Sequence, residues 1–240
     1  MRILGIDTAI TTGGAALIEG EQITAEYILN IRATHSERLL PALDRLFKDT
    51  GLDGSRLDGI AVALGPGSFT GLRIGTATAK ALAYTWDKPL IGVNVLEGLA
   101  YQVETFVPWV CSLVDARHDE VYGSLYQVGD GSDVPKAVIC PQAAPVRQFV
   151  EQVLEISGVE KICFTGDGAA AYKGLIGDLT KERLVFPGNN NIYLRPSSIA
   201  FLGLRHLQAG RQDDPMSLAP MYLRLPEAQR RLEARNRQSS

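Results

Sequence analysis

The chain has 240 residues, 45% hydrophobic and 21% charged, which is enough apolar material for a sizeable core and excludes a disordered or fibrous protein. Its 24 Lys and Arg stand against 27 Asp and Glu, a formal charge of −3, far from the basic excess with which a self-sufficient nucleic-acid binder displaces counterions. The N-terminal MRILGID meets Asp7 before any apolar run of signal-peptide length, and no stretch approaches the roughly 18 apolar residues of a spanning helix, so a cytoplasmic protein with no membrane partner is expected.

In chain order, residues 2–6 read as an apolar strand ending at Asp7, followed by the turn TAITTGG and strands over 15–18 and 23–29. A helix follows, with Ser36 as its N-cap and Leu39, Leu40, Leu43, Leu46 and Phe47 at helical spacing up to the terminator Gly51. Pro41 should kink this helix or delay its first turn. Residues 57–64 form a buried strand, GPGSFTG turns into a helix over 71–86, and a strand lies around 90–93.

The same grammar then returns. Residues 109–114 form an apolar strand ending at Asp115, 108 positions after Asp7. The hairpin turn ARHDE, the strand VYGSLYQV and the turn Gly129-Asp130-Gly131 follow. A helix over 145–156, the strand KICFTG ending at Gly166, the glycine-broken turn GDGAAAY and a helix over 196–208 complete the chain. Two similar α/β lobes are expected, over 1–105 and 106–222, with a tail over 223–240 and last helices able to return to the first lobe. The tail holds Arg224, Arg230, Arg231, Arg235 and Arg237 against Glu227 and Glu233, a local +3 on a body of −6. Such a tail is either a solvated end or a phosphate contact.

A strand that ends in Asp and turns through small hydroxylated residues can present a carboxylate and N–H groups to nucleotide phosphates and a metal. Asp7 with Thr8, Thr11 and Thr12 fits that role, and Asp115 is its second-lobe counterpart, although Ala116 and Arg117 stand where close backbone approach wants glycine. Gly166, Asp167 and Gly168 form either the turn under an adenine or ribose, or a tight strand-to-helix turn. GPGSFTG lacks the Lys of a P-loop. Gly71, Gly75, Ala79 and Ala83 recur every four residues, a small-residue stripe suited to close approach of the protein's own sheet or of another subunit. His35, His118 and His206 show no metal-ligand spacing and no GxSxG elbow is present. Cys111, Cys140 and Cys163 read as reduced, buried thiols.

GIDTA at residues 5–9, HSERLLP at 35–41, ALGPGSFTGLRIG at 63–75, DARHDEVY at 115–122 and PMYLR at 220–224 closely resemble the TsaB (YeaZ) family. Its members are dimerisation subunits of the bacterial tRNA threonylcarbamoyladenosine (t6A) machinery. The resemblance implies the duplicated, ribonuclease H-like fold of the actin, heat-shock-protein ATPase and sugar-kinase superfamily. The catalytic TsaD relatives carry a metal-binding HxxxH pair in a sequence like HMEGH, where this chain has Val95-Leu96-Glu97-Gly98-Leu99; aliphatic side chains cannot coordinate a metal. A non-catalytic subunit with no metal and no required cofactor is therefore implied, binding ATP or ADP feebly if at all. Its implied partners are a TsaD-like catalytic subunit, a TsaE-like ATPase, tRNA through the complex, and a second copy of itself when alone. The family's pairing surface maps onto Ser36, Leu39, Leu40, Leu43, Phe47, Gly71, Gly75, Ala79 and Ala83. The alternatives are a nucleotide-binding ATPase working through Asp7 and Asp115, a glycoprotease-like peptidase, and a direct tRNA binder using the arginine tail.

Overall fold

The computed structural model describes residues 1–30, 34–103, 107–129, 132–188 and 192–224, apart from the side chains of His35 and Ser36. In the first lobe, β1 (Arg2–Asp7), β2 (Gly13–Glu19) and β3 (Gln22–Leu29) form an antiparallel meander, and α1 (His35–Thr50), β4 (Gly59–Gly65), α2 (Phe69–Trp86), β5 (Leu90–Asn94) and α3 (Val95–Tyr101) follow. The second lobe repeats the plan with β6 (Trp109–Asp115), β7 (Glu120–Gln127), β8 (Lys136–Pro145), α4 (Val146–Ser157), β9 (Ile162–Thr165), α5 (Asp167–Ala171), α6 (Lys173–Thr180), β10 (Leu184–Val185) and α7 (Pro196–Gln208). The sheets run β3-β2-β1-β4-β5 and, in the matching order, β8-β7-β6-β9-β10. β1 and β6 are the central strands, each antiparallel to the following strand and parallel to the later one.

Burial on both faces explains why these central strands read as continuous apolar runs rather than alternating ones. Leu4 and Ile6 face a core closed by α1 and α2, whereas Ile3 faces a second core containing residues of α3, α7 and both sheets. The last helix of each half crosses to the other. α7 lies on β1, β2 and β4, and α3 lies on β6 and β7, so the two helices sit together between the sheets. Two glycines make the α7 contact possible: a Cβ on Gly5 would stand 2.3 Å from the Pro196 carbonyl oxygen, and one on Gly203 2.4 Å from the Ala61 Cβ.

Several elements differ from the sequence expectation. α1 is capped by Thr34, not Ser36: the Glu37 carboxylate accepts from the Thr34 N–H (2.8 Å) and hydroxyl (2.7 Å). The helix starts at His35 and continues past Pro41 without a break. α2 begins two residues early, because the Ser68 hydroxyl accepts the Gly71 N–H and caps the helix there. GDGAAAY is mostly helix α5 rather than a turn. Cys140 is exposed on β8, in contrast to buried Cys111 and Cys163. The Asp130-Gly131 turn and the tail from residue 225 onward lie outside the described residues. Among the described residues, no helix is long and apolar enough to cross a membrane.

Candidate functional site

β1 and β6 end side by side at the mouth of a cleft between the lobes. About 490 Å³ in volume, it is lined from the first lobe by Ala9, Ile10, Thr11 and Phe69 and from the second by Asp115, Arg117, Tyr122 and Asp167. Of the residues expected to serve a nucleotide, Thr11, Asp115 and Asp167 reach this cleft. The others are used internally. Asp7 is wholly buried, with Oδ1 accepting the Ala9 N–H at 2.8 Å and Oδ2 without a hydrogen-bond partner among the described residues. Burial pushes its carboxyl up to about 7, against the opposing pull of the Ala9 N–H and the Arg38 guanidinium. The Thr8 hydroxyl donates to the Gly71 carbonyl at 2.7 Å, tying β1 to α2, and Thr12 is buried.

In the second lobe the corresponding turn is filled by its own carboxylates. The Asp115 N–H donates to Asp167 Oδ1 (3.1 Å), and the Arg117 N–H donates to Asp115 Oδ1 (2.8 Å). Burial raises the Asp167 carboxyl, the Asp115 N–H lowers it, and the Asp115 charge raises it. Gly166 and Gly168 serve packing rather than the cleft. A Cβ on Gly166 would lie 2.0 Å from the Leu113 carbonyl oxygen, and one on Gly168 2.9 Å from the Val114 backbone, so both glycines let α5 start hard against β6. The hairpin after Asp115 carries Arg117, His118 and Asp119 at φ of 65°, 55° and 58°, three successive left-handed residues with side chains. In this second-lobe turn the Asp115 and Arg117 N–H groups are thus bonded to carboxylates rather than open to an anion.

The expected pairing residues divide by face. Leu39 and Leu43 on α1 and Gly71, Gly75, Ala79 and Ala83 on α2 are buried in the chain's own core. A Cβ on Gly75 would stand 2.3 Å from the Thr8 hydroxyl oxygen. The stripe therefore seats α2 on the chain's own sheet. Phe47 is half-buried, edge-on to Trp86 at 5.4 Å. Leu40 is 60% exposed, and the Ser36 side chain lies outside the described residues. The outward face of α2 instead shows Arg73, Ala77, Ala81 and Tyr84, the last 82% exposed.

Two anchors escape a reading by motif. Arg38 is buried at the foot of α1 and donates to the Leu29 (3.1 Å) and Thr11 (2.9 Å) carbonyls. The available signal is its position, an arginine one helical turn from Ala42 on the apolar face. Arg224, the first arginine of the tail, is held by Glu120 of β7, a partner no local pattern announces.

Two α/β lobes of one topology, with a cleft where their central strands end, give the chain a fold that sugar kinases share. A ROK hexokinase from Thermus thermophilus shares this fold at a TM-score of 0.51 and 11% identity, over 86% of this chain and 100% of that one. A structure from Pseudomonas aeruginosa, described as an uncharacterized protein with similarity to peptidase YEAZ, aligns at a TM-score of 0.77 and 26% identity over 93% of this chain and 99% of that one. The family model described as TsaD, tRNA N6-adenosine threonylcarbamoyltransferase, matches residues 22–229. The tRNA threonylcarbamoyladenosine biosynthesis protein TsaB of Bacillus subtilis is 36% identical over 95% of this chain and 96% of its own length. The chain belongs to the TsaB (YeaZ) family, and its function lies in the t6A modification of tRNA.

Proposed function

We propose that this chain is the non-catalytic pairing subunit of a tRNA threonylcarbamoyladenosine transferase complex. In that role it binds a TsaD-like catalytic subunit and a TsaE-like ATPase in the cytoplasm. The catalytic partner then transfers threonylcarbamoyl to adenosine 37 of tRNAs reading codons that begin with A. Alone, the chain pairs with a second copy of itself, and it meets tRNA only within the complex. The observation that carries this reading is the internal use of the chemical groups: Asp7 and Thr8 are buried, and the N–H groups of Asp115 and Arg117 are bonded to carboxylates.

The pairing surface in this reading is the outward face of α1 and α2, formed by Leu40, Ala77, Ala81 and Tyr84. Its alanines permit close helix approach and Leu40 and Tyr84 supply apolar area. No nucleotide is required by this subunit. The test is reconstitution from purified TsaD-like and TsaE-like proteins, tRNA and threonylcarbamoyl-adenylate, omitting each component in turn. Product should vanish when this chain is omitted, and equal product without it would defeat the reading. Titration calorimetry of the isolated chain with ATP and magnesium should give no heat of binding at micromolar concentrations; a micromolar site would favour an ATPase.

A further inference from the structure

After α7, residues 209–224 do not trail away from the molecule but run along the first lobe and cross to the second. The Asp213 N–H donates to the Leu90 carbonyl (2.8 Å), and its carboxylate accepts the Gly92 N–H (2.7 Å). Lys80 on α2 reaches over to the carbonyls of Met216 (3.2 Å) and Leu218 (3.1 Å). The Met221 N–H donates to the Leu64 carbonyl at the end of β4 (2.7 Å). Gly65 is what admits the strap there, since a Cβ on it would lie 2.7 Å from the Met221 carbonyl oxygen.

The last described residues then bind both rims of the cleft. Tyr222 stacks on Phe69 of the first lobe at 4.7 Å, and Arg73 donates to its hydroxyl at 3.1 Å. Arg224 crosses to the second lobe, where it pairs with Glu120, donates to the Ala116 carbonyl (3.4 Å) and lies 5.7 Å from the centre of the Tyr122 ring. Its side chain is 12% exposed and that of Glu120 33%. Phe69, Ala116 and Tyr122 all line the cleft.

We propose that the C-terminal strap is a latch: by pinning Phe69 on one rim and Glu120, Ala116 and Tyr122 on the other, it fixes how far the two lobes open. A hydrogen bond between ionised partners is roughly twice as strong as a neutral one, and this one ties the end of the strap to the second-lobe rim. Release would leave the lobes joined by the α3 and α7 layer between the sheets, free to turn about it as domains do in hinged proteins.

Spin labels on Asp44→Cys of α1 and Glu151→Cys of α4, in a Cys140→Ser background diluted with unlabelled chain so that only distances within one chain are read, report the distance between the lobes. Arg224→Glu should shift and broaden that distance distribution and speed hydrogen exchange of the Met221 amide about tenfold, the scale on which a hydrogen-bonded charge pair shifts a local opening equilibrium. Arg224→Gln should do the same to a smaller extent. Reversing the pair with Glu120→Arg and Arg224→Glu together should move the distribution and exchange part of the way back to wild type, since the ion pair returns while the donation to the Ala116 carbonyl does not. A wild-type distribution in Arg224→Glu and Arg224→Gln, or a shift that the reversed pair leaves undiminished, overturns the latch.

Discussion

Asp7 ends β1 with its carboxylate buried in the protein rather than open to the cleft. At the end of β1 its carboxylate has one hydrogen bond and one oxygen facing protein, so it holds a proton up to about pH 7. Between the ordinary carboxylate value near 4 and about 7, the folded chain binds a proton the unfolded chain has released, so the Asp7 contribution to stability falls as pH rises through this window and levels off above it. The whole effect is at most about 4 kcal/mol. The difference in unfolding free energy between wild type and Asp7→Asn, measured by urea titration from pH 4 to pH 8, should decline across that range.

Gly75 is the second instructive residue. With only 2.3 Å between a built Cβ and the Thr8 hydroxyl, Gly75→Leu must displace Thr8 from Gly71 and lift α2 from the sheet. Such overpacking costs about 1–3 kcal/mol or more. Thermal melting of Gly75→Leu should therefore show a clear loss of stability, and any loss of pairing in that variant would be secondary.

At the scale of the element, α2 carries two different jobs on two faces. The inward stripe seats it on β4, and the outward face is free for a partner in the proposed reading. Ala81→Glu places a charge on the exposed face without touching the core. It should leave the melting temperature within a degree or two and abolish co-elution with the TsaD-like subunit on gel filtration. Co-elution at wild-type strength would remove α2 from the interface. The small-residue spacing was legible in the sequence. Its direction was not, because Gly-x-x-x-Gly spacing describes any close approach of a helix face and carries no information about which neighbour fills it. α1 gave the same lesson in its first turn: Ser36 and Thr34 are both good caps, and the choice between them rests on Glu37 standing three residues after Thr34.

At the scale of the whole molecule, the lobes are joined by exchange. α7 belongs to the second half in sequence and to the first sheet in space, and α3 is exchanged the other way. A fragment of residues 1–105 would leave the α7-facing surface of β1, β2 and β4 open to water, including Ile3 and Ala61, which are fully buried in the intact chain. Such a fragment should lack the cooperative unfolding transition of the full chain, measured by circular dichroism during urea titration. Adding residues 106–195 without α7 should not restore it.

By itself the sequence determined most of the duplicated order of strands and helices, though not β8, α3 or α6, since buried central strands and amphipathic helices write periodicities that do not depend on their neighbours. It also determined the family, through GPGSFTGLRIG and DARHDEVY, and the absence of the HxxxH pair at residues 95–99. Tertiary structure alone decided which of these residues are available. Burial removed Asp7, Thr8 and the α2 stripe from the surface, two carboxylates occupied the second-lobe N–H groups, and the strap found Glu120 more than a hundred residues away. These are contacts between distant segments, and a pair such as Arg224 and Glu120 leaves no local pattern because its partners become neighbours only when both lobes have folded.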